Sequence, residues 1–567
     1  MLSMTFLRAP TTWLLLGWLG LLVIGALFLW SEVRHRTAPR LNPPWIARTW
    51  PLVFLVLLLI VRRLPLLVYN QEINPDESQI LSQAITLWHY PVYWQSTDGA
   101  TMGPLSSYVL TLPAFFGFPL DYLAGRWVGF LCLLVSVVSG YFTLLNLFDW
   151  RTARLALLPM VVFLGFSQHP DFVHATNEQL SLALLGLGLW QFSKVFRYGI
   201  SGRTRTLFWL SFIGSLVPFA KLQGTPTALA LVGVAGIHLF FQRTQLSTFT
   251  FWKAVLALLV GGLIFPLFVV ACTLVFGVFD DFMRFYLLAN ASYGTGNGFL
   301  GNLGNFPAFV GRTTDFVVYL LLPGVWLLVG WLLFSRQWKT QKKLLLYGML
   351  IAGASLFAVV KPGNEFTHYL LYLVFPISLL YGWLVAQTPT PWLATGLLVL
   401  LFGAVAGSFW STYRHDKRYN LYVSTPDLAR KIPQSKVSRT IARYASPGEA
   451  LVVWGWMPRY NVQTQMPQGV CDNHTIRCVF GTADEKRVHQ TRYLRNIRAS
   501  RPPVFIDSVG ENCVWLTDRA TQAHEVVAEL DAFVKTNYTF VGEVEYTRIY
   551  VRNDRYAGRM ARTGAGT

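Results

Sequence analysis

From Pro51 to Tyr90 the chain reads PLVFLVLLLIVRRLPLLVYNQEINPDESQILSQAITLWHY. The first half of this stretch is almost wholly apolar and has the length of a membrane-spanning helix, about 20 residues. The second half opens on an acidic pair, Asp76–Glu77, with Asn74 and Pro75 just ahead of it. Pro75 and Asp76 are helix-start signals, and Asp76 is expected to cap a helix beginning near Glu77. The apolar residues that follow, Ile80, Leu81, Ala84, Ile85 and Trp88, recur with helical spacing. An acidic pair at the mouth of a membrane helix stands where charge is costly unless it lines a polar cavity.

The remainder of the chain agrees with a membrane reading. Of 567 residues, 53% are hydrophobic and only 13% charged, against about a quarter charged in soluble domains. Twelve apolar segments are expected to span, at roughly 12–30, 50–69, 122–147, 152–168, 177–194, 206–220, 225–241, 254–277, 314–334, 344–360, 368–386 and 391–410. The segment 152–168 is short and contains Pro159. The first segment lacks the basic start and cleavage site of a signal peptide.

The net charge of +19 suggests nucleic acid at first sight, but its placement argues against such a partner. Most Lys and Arg of the membrane half fall in one alternating set of short loops, among them "DWRTAR", "KVFRYGISGRTR" and "SRQWKTQKK". The positive-inside rule puts that set in the cytoplasm. With an even number of spans, both termini are expected outside.

The opposite set of loops carries Asp76, Glu77, Asp98, Asp171, His174, Glu178, Lys221, Lys361, Glu365 and His368. Any one of these is most simply a solvated charge or a helix cap, and Lys221 and Lys361 could merely snorkel to the interface. Five loops that bring such groups to one face are how a site is built, and the expected site is on the outer side. The loop 71–121 is expected to hold two interfacial helices, with Trp88, Tyr90, Tyr93 and Trp94 at headgroup level.

After Trp410 the composition turns polar. Strand patterns in "EALVVWGW", "PPVFIDSV" and "YTRIYVRN" alternate with helix patterns in "STPDLARKIPQSKVSRTIARYA" and "ATQAHEVVAELDAFVKTNY". A small extracytoplasmic α/β domain is expected at 411–556, with a disordered tail at 557–567. Cys471 and Cys478, in "CDNHTIRC", are candidates for a disulfide in an oxidising compartment. No ligand spacing supports a zinc site, and no metal site is expected.

The order of these features resembles the C-type (GT-C) membrane glycosyltransferases, in the branch of the protein O-mannosyltransferases and the aminoarabinose transferases of lipid A. The resemblance runs loosely from Leu52 to Trp410 and rests on the Asp-Glu loop, "AGRW", "HATNEQLSLALLGLGLW", "FAKLQG" and "EFTHYLLYLVFPISLL". It implies an α-helical polytopic membrane protein of about 12 spans. An extra helix and cytoplasmic loop would occupy 1–48, and the GT-C-like domain 49–410. It also implies transfer of a sugar from a polyprenyl-phosphate donor to a glycan, lipid or protein acceptor on the outer face of the cell membrane. Asp76 matches the catalytic base, with Glu77 beside it. Arg126, Lys221, Lys361, His368 and Tyr369 are candidates for the donor phosphate and substrate. Asp98, His174, Glu178 and Glu365 are further outer-face candidates. No cofactor is assigned, and a requirement for a divalent cation is left open.

Two departures from the aminoarabinose branch stand out. Its members carry an Arg shortly after Asp-Glu, where this chain has Ser78 and Gln79. They also carry Lys-Pro-Pro-Leu, where this chain has Met102–Leu105, "MGPL". Rival readings are a lipid-linked sugar transporter or flippase, which would show internal repeats and broken helices that are not seen here, and an O-antigen-type polymerase or ligase.

Overall fold

The computed structural model describes residues 10–37, 45–291, 298–334, 341–388 and 432–564, with isolated positions between 396 and 407. The chain divides into two compact units. One comprises Met1–Tyr69, Gly129–Ala271 and Ser292–Leu428; the other comprises Asn70–Val128, Cys272–Ala291 and Ala429–Thr567.

The first unit is built from long apolar helices, including Pro10–Thr37, Trp45–Leu67, Trp150–Phe166, Asn177–Tyr198, Thr204–Ala220, Thr225–Phe241, Thr314–Phe334, Lys342–Val360 and Val374–Gln387. Helices Tyr122–Leu147 and Thr248–Val275 also contribute to it. Every expected span but the last is therefore helical, and 391–410 lies almost wholly outside the described residues. Seven helices among the described residues are long and apolar enough to cross a membrane. The chain is a multi-pass membrane protein.

Helix Thr248–Val275 exposes Leu256, Leu259, Leu263 and Leu267 along one stripe. A stripe of this kind on a helix long enough to span fits contact with lipid. The short helix Trp150–Phe166 is the opposite case: it is buried from Thr152 to Phe166, Pro159 included. Protein rather than lipid surrounds it, so it does not need the length of a lipid-facing span. Arg63 ties the helix's C-terminal end to the turn after it: its Nε donates to Leu164 O at 2.8 Å and its Nη2 to Phe172 O, in the next short helix, at 2.9 Å. Close packing is set by small residues, as in membrane bundles generally. A Cβ on Gly261 would lie 2.4 Å from the Phe208 carbonyl oxygen.

The second unit has a four-stranded sheet, β1 (Leu451–Trp454), β2 (Val504–Asp507), β3 (Tyr538–Val544) and β4 (Thr547–Arg552), in the order β1-β2-β4-β3. β1 and β2 are parallel, with Leu451 opposite Val504, and β4 runs antiparallel to both β2 and β3. β1 and β2 are buried throughout and supply the core with Trp454, Phe505 and Ile506. Residues 71–121, read from the sequence as a loop of the membrane domain, fold in this unit. Gln468 N donates to Thr86 Oγ1 at 2.9 Å, and Asp98 N to Cys471 O at 2.8 Å.

Two expectations are corrected here. Cys471 and Cys478 are free thiols. The Cys471 thiol donates to Gln95 O at 2.8 Å, whereas Cys478 is packed in the core of the sheet domain, so their environments separate them. Residues 557–564 are not a disordered tail but the later turns of a helix, Asn553–Gly564. That helix is tied down by Arg555 to Glu449 at 2.5 Å and by Arg559 to the Arg443 carbonyl. The segment 411–431 lies outside the described residues.

Candidate active site

The Asp76 loop owes its shape to local rules. Asn74 is extended (φ −144°, ψ 139°) and caps helix Pro75–His89, its side-chain oxygen accepting the Asp76 amide at 2.9 Å. Pro75 takes the first helical position, where its missing N–H leaves no bond unmade. Asp76 and Glu77 then fall in the first turn, about 100° apart around the helix.

That angle gives the two carboxylates different fates. Glu77 is fully buried and forms a two-pronged ion pair with Arg126: Nε to Oε1 at 2.7 Å and Nη2 to Oε2 at 2.6 Å. Arg126 Nη2 also donates to Gln71 O at 2.5 Å. Glu72 accepts the Ser78 hydroxyl at 2.5 Å and faces Arg459 at 3.5 Å. Burial pushes the Glu72 carboxyl above its ordinary value, against the pull of Arg459 and Ser78. Asn70 donates to Asp121 at 2.9 Å. Asp76 is the exception: its carboxylate is half-buried and makes no hydrogen bond or ion pair among the described residues.

Asp98 is closed off in a different way. Its Oδ2 accepts Arg492 Nη1 at 2.8 Å and its Oδ1 the Ala100 amide at 2.9 Å. Arg492 also bonds Asp472 at 2.5 Å and lies 3.5 Å above the Phe285 ring. Burial by itself raises the Asp472 carboxyl, but Arg492 and His489 hold it far below the usual range. This network fastens the loop near residue 98 to the sheet domain.

The membrane unit holds a second polar cluster. Glu178 sits in the first turn of helix Asn177–Tyr198, capped by Thr176. Lys221 Nζ lies 3.2 Å from Glu178 Oε1, and both side chains are buried. His368 stands between two carboxylates, 3.6 Å from Asp171 and 3.8 Å from Glu178. Burial raises the Asp171 carboxyl, but the hydrogen bond and charge of His368 outweigh it and hold the group below its ordinary value. The Tyr369 ring packs on His368 at 4.8 Å, with Lys221 Nζ 5.8 Å from its centre. His174 is fully buried, bonds the Pro170 carbonyl at 2.7 Å and lies 6.2 Å from the His368 ring. Glu365 pairs with the exposed Arg312 at 2.7 Å, and Lys361 is half-buried one helix end away.

An apolar groove of about 410 Å³ opens in the same unit. It runs beside helix Lys342–Val360 from Leu344 to Leu356 and reaches Leu373, the last residue of the turn Thr367–Leu373 that carries His368 and Tyr369. The sequence places Glu72 and Asp171 among the outer-loop acids but gives neither Glu72's pairing with Arg459 nor Asp171's with His368, and it does not point to Asp472 or Arg492. None of their pairings has a local signature. A further cluster, Asp507, His524 and Glu525, has ligand atoms within 4.8 Å of one another. It is satisfied internally: Asp507 accepts His524 Nδ1 at 2.6 Å, and Arg548 pairs with Glu525 at 2.5 Å.

No protein-family model and no curated protein matches the sequence. Solved structures do match. ArnT from Cupriavidus metallidurans bound to undecaprenyl phosphate superposes with a TM-score of 0.57 at 13% identity, covering 88% of this chain and 98% of that one. The chain has the GT-C fold of ArnT. The apo form of the same ArnT gives a TM-score of 0.53 at 13% identity, over 89% and 98% of the two chains. The oligosaccharyltransferase of Archaeoglobus fulgidus gives 0.41 at 11% identity, over 82% and 70%. The GT-C resemblance seen in the sequence therefore holds for the fold.

Proposed function

We propose that this chain is a membrane glycosyltransferase that moves a sugar from a polyprenyl-phosphate donor to an acceptor hydroxyl on the outer face of the membrane, with Asp76 as general base. The observation that carries this reading is the isolation of Asp76. Of the carboxylates between residues 70 and 77, Glu72 and Glu77 are partnered and Asp76 alone is not. A base must hold its lone pair free for the incoming proton and lie within hydrogen-bond reach of the substrate.

In the proposed step, Asp76 takes the acceptor hydroxyl proton as the oxygen attacks the anomeric carbon. The bond from that carbon to the phosphate oxygen breaks, and its electron pair leaves with the polyprenyl phosphate. The departing group is already a stable anion, so no general acid is needed. Glu77 and Arg126 act as positioning residues that clamp Gln71 and the first helical turn. Within the membrane unit, Lys221, His368 and Tyr369 are the proposed contacts of the donor phosphate, and the apolar groove beside helix Lys342–Val360 is the proposed place for part of the prenyl chain. The structure bound to undecaprenyl phosphate is that of ArnT, and the match in fold supports a donor of the same class here.

The test is transfer by the purified protein from a panel of polyprenyl-phosphate sugars. Wild-type transfer that Asp76→Asn abolishes supports the reading, and a folded Asp76→Asn protein with wild-type turnover overturns it. The sidedness is checked by cysteine labelling. Ser201→Cys should react from the cytoplasm and the exposed Lys535→Cys from outside.

A further inference from the structure

A groove of about 750 Å³ opens in the second unit at the far end of the Asp76 helix. Its walls come from His89 at the end of that helix and the residues after it up to Ser96, from residues 276–281, from Ala450 and residues 468–471, and from the last turns of helix Ala483–Ser500. The helix has 15 residues, which at 1.5 Å per residue is about 22 Å. The groove and Asp76 are thus one helix length apart. The volume falls within the range of small-molecule sites, about 300–1,000 Å³.

The lining sets polar groups beside apolar ones such as Val92, Phe276 and Val278. Gln95 has an exposed side chain with no hydrogen bond among the described residues. Asn496 uses its Oδ1 on the Cys471 amide at 3.3 Å and leaves its Nδ2 free. Arg495, with 61% of its side chain exposed, lies 3.4 Å from Asp281. The exposed Tyr90 offers a ring face and a free hydroxyl. An anion entering the groove would meet Asp281, and a cation would meet Arg495. An uncharged polyol meets donors and acceptors together, and its C–H faces have an aromatic ring to lie on. Planar amides, a balanced Arg–Asp pair and an exposed tyrosine are the groups that recognise a saccharide.

We propose that this groove is an acceptor subsite for a neutral oligosaccharide. It would hold the part of the glycan that lies beyond the hydroxyl being glycosylated. The proposal rests on the glycosyl-transfer reading and narrows the acceptor to a glycan several sugars long, since one helix length separates the groove from Asp76.

Binding and turnover test it separately. Saturation-transfer NMR with neutral oligosaccharides of increasing length is run on the detergent-solubilised full chain as wild type, Asp76→Asn, Tyr90→Ala, Tyr90→Phe and Asn496→Ala, with thermal unfolding as the check on folding. Wild type and Asp76→Asn should bind long oligosaccharides alike. Tyr90→Ala and Asn496→Ala should each weaken binding about tenfold, the loss of one well-made contact, and Tyr90→Phe should largely restore it. In turnover, the two alanine variants should raise KM for long acceptors only, with donor KM and short-acceptor kinetics unchanged. Equal oligosaccharide binding by wild type and both alanine variants overturns the subsite, as does displacement by phospholipid headgroups but by no saccharide. A fully active Asp76→Asn protein whose groove variants still lose oligosaccharide binding would sink the catalytic reading and leave the subsite standing.

Discussion

The Asp76 loop and the Asp171–Glu178 cluster each set two carboxylates beside basic groups, yet they dispose of the charge differently. In the membrane-unit cluster both carboxylates are matched: Glu178 has Lys221 at 3.2 Å and Asp171 has His368 at 3.6 Å. At the Asp76–Glu77 pair one carboxylate is matched and the other is left over, because Glu77 holds both prongs of Arg126 while Asp76 has no partner among the described residues. A buried charge that is paired contributes to structure or to a binding site that keeps its balance. A half-buried charge that is unpaired is available for chemistry. Adjacent residues in one helical turn can thus belong to different categories, and sequence proximity does not make them interchangeable.

The largest expected effect comes from breaking the matched pair. Glu77→Gln leaves Arg126 buried without a counter-charge, which costs about 3–5 kcal/mol, a large part of a stability of about 5–15 kcal/mol. Thermal unfolding in lipid nanodiscs should show this, and Arg126→Ala should behave alike. If Glu77→Gln unfolded at the wild-type temperature, the contrast with Asp76 would collapse.

The next effect is on catalysis. Asp76→Asn should lower transfer by about 10²–10⁴ and leave the unfolding temperature within the small range of substitutions that remove no contact, about 0.5 kcal/mol. Equal losses of stability in Asp76→Asn and Glu77→Gln would mean that both are structural.

The membrane cluster is separated by a double-mutant cycle. Lys221→Met should reduce transfer roughly ten- to a hundredfold through donor affinity, as expected for a charge-assisted phosphate contact of about 1.5–3 kcal/mol. If Lys221 only neutralises Glu178, the double variant Lys221→Met/Glu178→Gln recovers both stability and transfer. If Lys221 meets the phosphate, stability recovers and transfer does not.

The smallest effect is a pH dependence. The folded Glu72 carboxyl is raised by burial, so the folded protein binds its proton more readily than the unfolded chain. Its contribution is fully present below the ordinary glutamate value, about 4.3, and is lost as pH rises through the folded value. The unfolding temperature of wild type relative to Glu72→Gln should therefore fall as pH rises above about 4.3. Asp472, held low by Arg492, has the opposite sign, and its contribution is lost on acidification. A wild-type advantage over Glu72→Gln that grew with pH would show Arg459 outweighing burial at Glu72.

Parts of this molecule were legible in its sequence for identifiable reasons. The spans follow from apolar length against bilayer thickness. A helix start near Asp76 follows from Pro75, whose effect is local, but the cap is Asn74 rather than the expected Asp76, so the helix begins two residues earlier. The strands β1, β2 and β4 follow from short runs of β-branched and aromatic residues. The hairpin joining β3 to β4 was not visible, because its turn uses Glu545 and Tyr546 at positive φ (49° and 61°) where Asn-Gly is the usual signal. The spacing of Cys471 and Cys478 suggested a bridge, yet one thiol bonds the Gln95 carbonyl and the other is packed in the sheet core.

By itself the sequence determined that the chain spans a membrane many times, that its polar groups gather in one set of loops, and that Asp76–Glu77 opens a helix. These properties depend on hydrophobic length and on neighbours a few residues apart. Only the tertiary structure decided which carboxylate is matched. Arg126 reaches Glu77 across 49 positions of sequence, and Arg492 reaches Asp98 across 394. An ion pair forms where the folded backbone brings two side chains within about 3–4 Å, and no local pattern of residues encodes which distant segment will arrive.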